Sequence, residues 1–579
     1  MSFVTEPSQS KYQLQYGAKV NDENNAELAM KSGNAISVNT SALQWKATRQ
    51  ASGAYNFSLM RGGKELLGDI QLIITDQDHK SYTSDFKPDE ISIEENGAQH
   101  AVILTRGSLA NPSDKSTFFR YEARWYFTNN SSVARVKVTL INDNIKSTFS
   151  NLQNAVLRFH LPANSGNVTL ADAGSFSTDD SSQVSVLQTY DDHYQIDSAQ
   201  GEKSGKRFPG WMQWKNNSQQ FSLAVRNFWQ LYPKAFSVKG NTLDVGLAPQ
   251  VNTDLYKKFK GTVEEYRSVF YLMDGTYKLR AGVSFTTEIA LDASGADGAQ
   301  LADYVNHQPV LIAEPEYYRV TKAFGDIGIG NDLSLIQEYN KKTASSFQNY
   351  LNDRDKMHEY GLMNYGDWWG ERGINWGNVE YDTQHAFILQ FARSGDVSYL
   401  RAAEDAEIHN RDIDTVHVDV TPPEEYFSIG GGGYRAVAAT TGRVWEHSIG
   451  HTGGYFKESP VKGQGSPESI FSSSHTWTEG HYETYFLTGD QRSLDTANKI
   501  ADVYDAYALT DYDFSNCRVP GWLLIFTMGA YNATNDPFYL NAAHIVVDRV
   551  LERQTPDGGW DRQLVPGHCQ DMPRHHGNA

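Results

Sequence analysis

The chain has 579 residues, 39% of them hydrophobic and 12% aromatic. Because a single hydrophobic core stops growing at about 250–300 residues, two or three domains are expected. The formal net charge of −19 argues against binding to nucleic acid or to an anionic membrane surface. A few Arg and Lys side chains in one cleft would still allow a polyanionic substrate. No apolar run approaches the ~18 residues of a membrane span, and the two cysteines, Cys517 and Cys569, exclude a disulfide framework.

The first half of the chain, to about residue 300, has the sequence pattern of strands. Gly, Asn, Asp and Pro separate β-branched and aromatic runs such as YNFSLMRGG, IQLIITD, HAVILTRG and AVLRFHLP. No convincing helix-length periodic segment interrupts them. We therefore predict an N-terminal antiparallel β-sandwich or barrel-like domain over residues 1–300, with DASGADGAQ (292–300) as its exit.

The second half, from about residue 315, has helical periodicity and an internal repeat. The copies are FARSGDVSYLRAA (391–403), FLTGDQRSLDTA (486–497) and YNATNDPFYLNAA (531–543). Each predicts a helix, a tight turn at Gly or Asn in the left-handed conformation, and a second helix. From Gly489 to Asn535 the step is 46 residues, and Gly395 to Gly489 is about two such steps. Repeated hairpins build a solenoid or a ring, and we predict an (α/α) toroid over residues 301–579, truncated at its C-terminal end.

A first candidate cluster lies in NYGDWWGERGINWGNVEYDTQHAF (364–387). Three tryptophans in a Gly-rich polar loop are poor core material, since loops run on the surface. Flat aromatic faces beside amides and carboxyls suit sugar rings; the alternative is that the tryptophans only plug the mouth of the ring. The candidates here are Trp368, Trp369, Trp376, Asn378, Glu380, Tyr381 and His385.

The next two clusters have simpler alternatives. EIHNRDIDTVHVD (407–419) alternates charges, and a solvated helix end is the favoured interpretation. In residues 430–458, Arg443, His447, His451 and Tyr455 follow at steps of four and would share one helical face. His447 and His451 leave a divalent metal ion open, but the residue after His447 is Ser448 and not the Glu of a zincin motif. For His451, a catalytic or binding role and a structural role are equally favoured.

The fourth cluster is SSHTWTEGHYETYFLTG (473–489). Ser473 or Ser474 is a plausible N-cap for a helix that begins near Thr476. Capping accounts for the serines and one glutamate. It does not account for His475, Trp477, Glu479 and His481 together, so this segment predicts one wall of a site.

Three separated blocks resemble the YetA-like group, which includes fungal exo-rhamnogalacturonan lyase, with bacterial ulvan lyases of similar architecture beside it. The blocks are GDWWGERGINWGNVEYDTQHAF (366–387), SSHTWTEGHYETYFLTGD (473–490) and GKRFPGWMQW…FSLAVRNFWQLYPKAF (205–236). The resemblance implies an N-terminal β-domain, a toroid and usually a C-terminal β-domain, which we expect to be missing here. It also implies a polysaccharide lyase, expected to be secreted or periplasmic, with the signal peptide absent from this sequence.

A lyase of this kind cleaves the C4–O bond of a uronate by β-elimination, which needs carboxylate neutralisation, a base and an acid. We predict His451 or His475 as base, Tyr455 as acid, and Arg443 and Asn378 facing the carboxylate, with no cofactor required. Ulvan is preferred to rhamnogalacturonan I because the chain is acidic and rich in Asp, Asn and Ser. The predicted substrate-binding residues are Trp368, Trp369, Trp376, Glu380, Tyr381, His385, Trp477, Glu479, His481, Lys206, Arg207 and Arg226.

Lys206 and Arg207 form a local basic loop, GEKSGKRFPGW, that we expect to lean over the toroid mouth and hold anionic groups, a solvated turn being the alternative. Two other function classes stay open. A toroid glycoside hydrolase would recruit paired carboxyls from Glu380, Asp382 and Glu479. A carbohydrate-binding protein would keep the tryptophans without a catalytic set.

Overall fold

The computed structural model describes residues 26–84, 88–147, 149–330, 334–371, 375–420, 440–445, 473, 476–510 and 518–560. The strands of the first half are β1 (Ala29–Ser32), β2 (Ala35–Asn39), β3 (Gln44–Arg49), β4 (Tyr55–Arg61), β5 (Lys64–Asp76), β6 (Ser81–Thr83), β7 (Glu90–Asn96), β8 (His100–Ala110), β9 (Thr117–Thr128), β10 (Val133–Ile141), β11 (Phe149–His160), β12 (Gly166–Leu170), β13 (Gly174–Thr178), β14 (Gln183–Tyr190), β15 (His193–Asp197), β16 (Lys203–Gly205), β17 (Trp211–Lys215), β18 (Gln220–Val225), β19 (Lys234–Lys239), β20 (Thr242–Ala248), β21 (Tyr277–Arg280) and β22 (Ser284–Asp292). A short helix, α1 (Val263–Arg267), interrupts them before β21.

The antiparallel strands form two layers. One layer has the order β7-β8-β9-β10-β22-β18-β17-β12-β13. The other has the order β1-β2-β3-β4-β5-β11-β20-β19-β14-β15-β16, with β6 beside β5 and β21 beside β11. The layers meet face to face, as where Trp45 of β3 packs on Trp125 of β9 with ring centroids 6.0 Å apart. The predicted β-sandwich is present.

Strand β10 shows how the sandwich presents a surface to the helices. Its even-numbered residues, Ala134 and Val136 among them, are buried in the sandwich core, because successive side chains of a strand point to opposite faces. The odd-numbered Arg135 and Lys137 project outward and pair with Glu288 and Asp490. The outer face of this sheet is thus charged, and it is covered by helices rather than by water.

The helices that follow are α2 (Gly298–Asn306), α3 (Pro315–Thr321), α4 (Ser334–Lys356), α5 (Thr383–Ser394), α6 (Val397–His409), α7 (Glu479–Thr488), α8 (Gln491–Thr510), α9 (Arg518–Thr534) and α10 (Pro537–Leu551). A two-stranded ribbon, β23 (Trp369–Glu371) and β24 (Asn375–Trp376), precedes α5. The expected boundary at residue 300 falls inside α2, which packs Leu301 and Val305 against the sandwich. None of the described helices is long and apolar enough to cross a membrane.

Three helical hairpins each have a hinge of the same kind, at the positions that the repeat predicts. Gly395, Gly489 and Asn535 have φ of 74°, 75° and 56°, the left-handed region that Gly and Asn tolerate best. In every copy the following Asp accepts a hydrogen bond from a backbone N–H two residues on and so begins the second helix. In every copy, too, a Ser or Thr hydroxyl before the hinge accepts a bond from the N–H of that Asp. The hinge prediction is confirmed.

Buried ion pairs join the sandwich to the hairpins. Asp490, in the hinge between α7 and α8, accepts bonds from Lys137 of β10 at 2.7 Å and from Arg411 at 3.1 Å. Arg492 of α8 contacts Glu122 of β9 at 3.0 Å. Charges buried in this way are tolerated because each meets an opposite charge. The hinge therefore also anchors the helices on the charged outer face of the sandwich.

The segment after α6 departs from its prediction. A solvated helix end was favoured for residues 407–419, yet His409, Asp412 and Asp414 are buried in and beside a π-helical turn, Asn410–Asp414. The turn is enclosed between α8 and the sandwich: Ser284 of β22 donates to the Asp412 carbonyl. Arg411 at 3.0 Å neutralises the Asp412 carboxylate and, against the cost of burial, keeps its pKa below its usual range. The alternating charges are internal salt bridges.

Candidate functional site

The approach to α5 is a strained backbone segment, residues 378–382. Asn378, Val379, Tyr381 and Asp382 have φ of 59°, 45°, 68° and 54°. A β-branched residue such as Val379 is a true outlier there, and strain of this kind costs about 1–3 kcal/mol per residue. The Asp367 carboxylate holds the segment by accepting the N–H groups of Asn378 at 2.9 Å and Val379 at 2.8 Å. Backbone strain that the surroundings maintain is concentrated at functional sites.

Asp382 joins the N-termini of two neighbouring helices. Its carboxylate accepts the His385 N–H at 3.2 Å at the start of α5 and the Gly480 N–H at 3.4 Å at the start of α7. The two helices approach so closely that a Cβ on Gly480 would lie 2.0 Å from Gln384 Cγ. Because helix N-termini carry partial positive charge, the junction favours anionic groups.

His385 is positively charged at neutral pH at this junction. Its Nδ1 lies 2.8 Å from Glu483 Oε2 on α7. Burial opposes the charge, but the hydrogen bond to Glu483 and the carboxylates of Glu483 and Asp382 outweigh it and raise the pKa of His385 to about 10. With Nδ1 engaged, Nε2–H is the donor left for a ligand.

Glu479, the first residue of α7, is a carboxyl group that titrates close to neutral pH instead of well below it. Burial, and then the charge of Asp382, raise its pKa to about 7. It packs against α9, where a Cβ on Gly529 would lie 2.6 Å from Glu479 Cγ. A carboxyl group with such a pKa suits general acid or base work near neutral pH.

Aromatic residues border the junction. Tyr381 is 63% exposed, and its ring centroid lies 6.1 Å from that of Trp522 on α9. Trp522 in turn meets the edge of the buried Trp477 at 5.0 Å. The exposed Tyr381 and half-buried Trp522 offer flat apolar surface beside charged and neutral donors. This combination is typical of carbohydrate sites, where ring faces stack and hydroxyls form hydrogen bonds.

The sequence-predicted residues lie in several separate places. The predicted base and acid, His451, His475 and Tyr455, lie outside the described residues, as does His447. Tyr381, His385 and Glu479, with the buried Trp477 and Glu380, lie at the junction or in its supporting loop. Asn378 also lies there, fully buried, and among the described residues its side-chain amide has no hydrogen-bond partner. Half-buried Arg443 lies in segment 440–445, where its carbonyl accepts the Val416 N–H.

One predicted tryptophan and one histidine are fully buried in this fold, and two further tryptophans pack half-buried against their neighbours. Trp376 is fully buried and donates its indole N–H to the Arg267 carbonyl, so it has no exposed face for a sugar. His481 is fully buried between Glu407 and Asn410, each 2.9 Å from a ring nitrogen. Half-buried Trp369 packs edge-on against Trp376 at 5.6 Å. Half-buried Trp368 covers Gly377, where a Cβ would lie 2.3 Å from its ring.

The basic residues of the first half lie at the boundary between sandwich and helices. Arg226 is half-buried between Glu404 at 2.8 Å and Glu288 at 3.5 Å, so its charge is already balanced. Arg207 is partly exposed and contacts Asp355 of α4 at 2.8 Å. Lys206 is exposed. None of the three is part of the junction at α5 and α7.

The start of α7 also differs from its prediction. The helix begins at Glu479 with Thr478 as N-cap, and the Ser473 hydroxyl donates to the Val519 carbonyl of α9 instead of capping α7. Trp522 and the contact between Glu483 and His385 were not predicted from the sequence. The four-residue step from Glu479 to Glu483 was the available signal, since it places both carboxyls on one face of α7.

Among the described residues, no group of three or more His, Cys, Asp or Glu side chains is arranged to hold a metal ion. His447 and His451, the predicted candidates, lie outside those residues.

The fold thus comprises an antiparallel β-sandwich followed by an α/α toroid. Residues 28–166 match the family model of the PcRGLX-like protein central beta sandwich domain, and residues 308–420 match that of the PcRGLX-like protein C-terminal alpha/alpha toroid domain. The predicted resemblance to exo-rhamnogalacturonan lyase-like proteins is confirmed in these two domains. The chain is also 24% identical over 362 residues to the uncharacterized protein YetA of Bacillus subtilis (strain 168); the match covers 57% of this chain and 38% of YetA.

Solved structures resemble the chain only remotely. A glycoside hydrolase family 97 enzyme from Pseudoalteromonas sp. strain K8 is 8% identical with a TM-score of 0.27, over 46% of this chain and 35% of that one. A putative aldose 1-epimerase from Klebsiella pneumoniae subsp. pneumoniae is 10% identical with a TM-score of 0.28, over 48% of this chain and 86% of that one.

Proposed function

We propose that the protein is a polysaccharide lyase that cleaves a rhamnose- and uronate-containing polysaccharide by β-elimination. The observation that carries the proposal is the junction of α5 and α7, which combines the cation of His385, the carboxyl group of Glu479 with its raised pKa, and the exposed ring of Tyr381. The match of residues 308–420, which include α5, to the PcRGLX-like toroid domain supports the same class of substrate.

The chemistry needs three contributions. A base removes the C5 proton, the electron pair forms the C4=C5 double bond, and the C4–O bond breaks as the leaving oxygen takes a proton. In our proposal His385 Nε2–H offsets the uronate carboxylate, which makes the C5 proton more acidic. Glu479 supplies the proton to the leaving oxygen. His451 and His475 stay the predicted candidates for the base.

Two backbones are proposed as substrates. The matched family models favour rhamnogalacturonan I, and the acidic, Asp-, Asn- and Ser-rich composition favours ulvan. Incubation with each polymer should release products with the ultraviolet absorbance of a C4=C5 double bond. Products with new reducing ends and no such absorbance would contradict elimination.

A glycoside hydrolase is the second candidate. Burial raises the pKa of Asp382, Glu479 and Glu483, all at the same junction, and hydrolases require a protonated carboxyl beside an ionised one. Reducing ends without ultraviolet absorbance would favour this class.

The role of Glu479 is tested by Glu479→Gln. Because glutamine keeps the shape but cannot give a proton, kcat should fall about 10²–10⁴-fold with folding unchanged. The matched control is Glu338→Gln, on the exposed surface of α4, where the carboxylate only pairs with Lys342. Equal turnover in both variants would remove Glu479 from the mechanism.

A further inference from the structure

A large groove lies between the sandwich and the helices, apart from the junction of α5 and α7. It has a volume of about 1080 Å³ and is lined by the loop after β18, by α2 and by the facing sides of α4 and α6. Ligand sites measure about 300–1,000 Å³ and form preferentially at domain interfaces. None of the lining residues belongs to the candidate site at the junction.

The groove displays cations in a strongly acidic chain. Four arginines line it, against three aspartates, Asp303, Asp355 and Asp405. Arg226 is half-buried and Arg354 buried against carboxylates or tyrosines of the protein. Arg207 and Arg401 also pair with carboxylates, Asp355 and Glu404, but 39% and 20% of their side chains stay exposed, so these two can still reach a ligand.

Arg207 is held in position for recognition. Its guanidinium lies over the Trp229 ring, 4.0 Å from the centroid, and donates to Asp355 at 2.8 Å. A guanidinium stacked on an aromatic ring loses little entropy when it binds an anion, and its planar fork matches a carboxylate. Arg207 is thus a ready donor at the rim.

Part of the groove lining is apolar. Phe347 and Leu351 of α4 and Val310 contribute to it, all partly exposed. His307, exposed at the end of α2, adds a further donor. The groove therefore combines apolar surface for the CH faces of sugar rings with donors for carboxylates and hydroxyls.

We propose that this groove is a second binding site for a stretch of acidic polysaccharide, with Arg207 as its carboxylate contact. The proposal rests on the proposed function for the identity of the polymer. A second site would hold a long chain on the enzyme while another stretch occupies the junction. Its effect would be avidity for long chains and not a change in the chemical step.

Binding tests the proposal without reliance on catalysis. Native affinity electrophoresis in gels containing rhamnogalacturonan I, ulvan or neutral dextran compares the wild type with Arg207→Gln and His307→Ala. Arg207→Gln loses the charged contact and should bind at least one acidic polymer about five- to tenfold more weakly than the wild type. His307→Ala should show a smaller loss. Dextran should retard none of the proteins. The matched control is Lys203→Gln on β16, whose ammonium bonds the Ala173 carbonyl outside the groove.

The outcomes separate this proposal from the proposed function. Retardation that depends on Arg207, in a protein without lyase products, would support the groove and overturn the lyase. Lyase activity with equal retardation of wild type and both variants would overturn the groove and leave the lyase standing. Retardation by dextran as strong as by the acidic polymers would also overturn the groove as a site for acidic chains.

Discussion

The charge of His385 depends chiefly on one neighbour, which makes Glu483→Gln an informative substitution. Apart from burial, which opposes the charge, the largest contributions to the raised pKa of His385 are the hydrogen bond and the charge of Glu483. The shift from 6.5 to about 10 corresponds to roughly 5 kcal/mol in favour of the charged form, at about 1.4 kcal/mol per pKa unit. Glutamine keeps the size of Glu483 but removes the charge. We therefore expect the pKa of His385 to fall by at least about 2 units, so that its charge is lost at a pH at least about 2 units lower than in the wild type.

The sign of the stability effect follows from linkage. A histidine with a raised folded-state pKa contributes stability that is fully present below the unfolded value of 6.5 and is lost as the pH rises towards about 10. Between about pH 8 and pH 9.5 the wild type should therefore lose up to about 2 kcal/mol relative to Glu483→Gln. Chemical unfolding of both proteins at the two pH values measures this difference.

Exchange of the histidine C2 proton with deuterium, followed by mass spectrometry of peptides, measures the pKa of His385 directly in a protein of 64.9 kDa. Glu95→Gln is the matched control, because Glu95 pairs with His100 at 3.1 Å in the sandwich, far along the chain from α5. Titration of wild-type His385 near its ordinary value, or the same value in Glu483→Gln, would refute the reasoning.

Three further predictions concern stability. Burial lowers the pKa of Lys234 to about 7. Between about pH 7 and pH 10 the unfolded chain therefore binds a proton that the folded protein does not, and the free energy of unfolding should rise with pH by about 1.4 kcal/mol per pH unit. Lys234→Met should remove this contribution, and an unchanged dependence of the unfolding free energy on pH in that variant would contradict the prediction. Arg411→Met removes a buried cation from Glu407, Asp412 and Asp490, of which Asp412 and Asp490 keep one other cation each, and should cost about 3 kcal/mol. Lys322→Met, in an exposed pair with Asp326, should cost at most about 1 kcal/mol; similar losses in both would contradict the role of burial. Val379→Gly relieves about 1–3 kcal/mol of strain at φ 45° but removes a fully buried side chain worth about 1.5–3 kcal/mol, so the melting temperature should change little. A melting temperature well below that of the wild type would show that burial outweighs strain.

The repeat and the hinges could be predicted from sequence because they depend on local chemistry. Gly395, Gly489 and Asn535 suit a left-handed turn whatever surrounds them, and the Asp that follows each one caps a helix with its own side chain. The strands could be predicted for the same reason, since residues such as Ala134 and Val136 alternate with polar neighbours along β10.

The site could be predicted only in part. His385 and Glu479 were recognised because polar and aromatic residues are concentrated before α5 and α7. The contact between His385 and Glu483 joins residues 98 positions apart, and such a distance has no signal in one sequence. Trp376 and His481 carry the same local signal as the residues at the junction, yet both are buried in the fold.

Composition, periodicity and short motifs by themselves determined the two-part architecture, the hairpin hinges and the general location of the site. Only the tertiary structure decided which charges are paired and which are free. Lys137 and Arg226 look like free cations in the sequence, but in the fold the carboxylates of Asp490 and Glu404 pair with them and balance their charge. The physical reason is that the charge state and accessibility of a side chain depend on the groups within a few ångströms of it, and those groups come from distant parts of the chain.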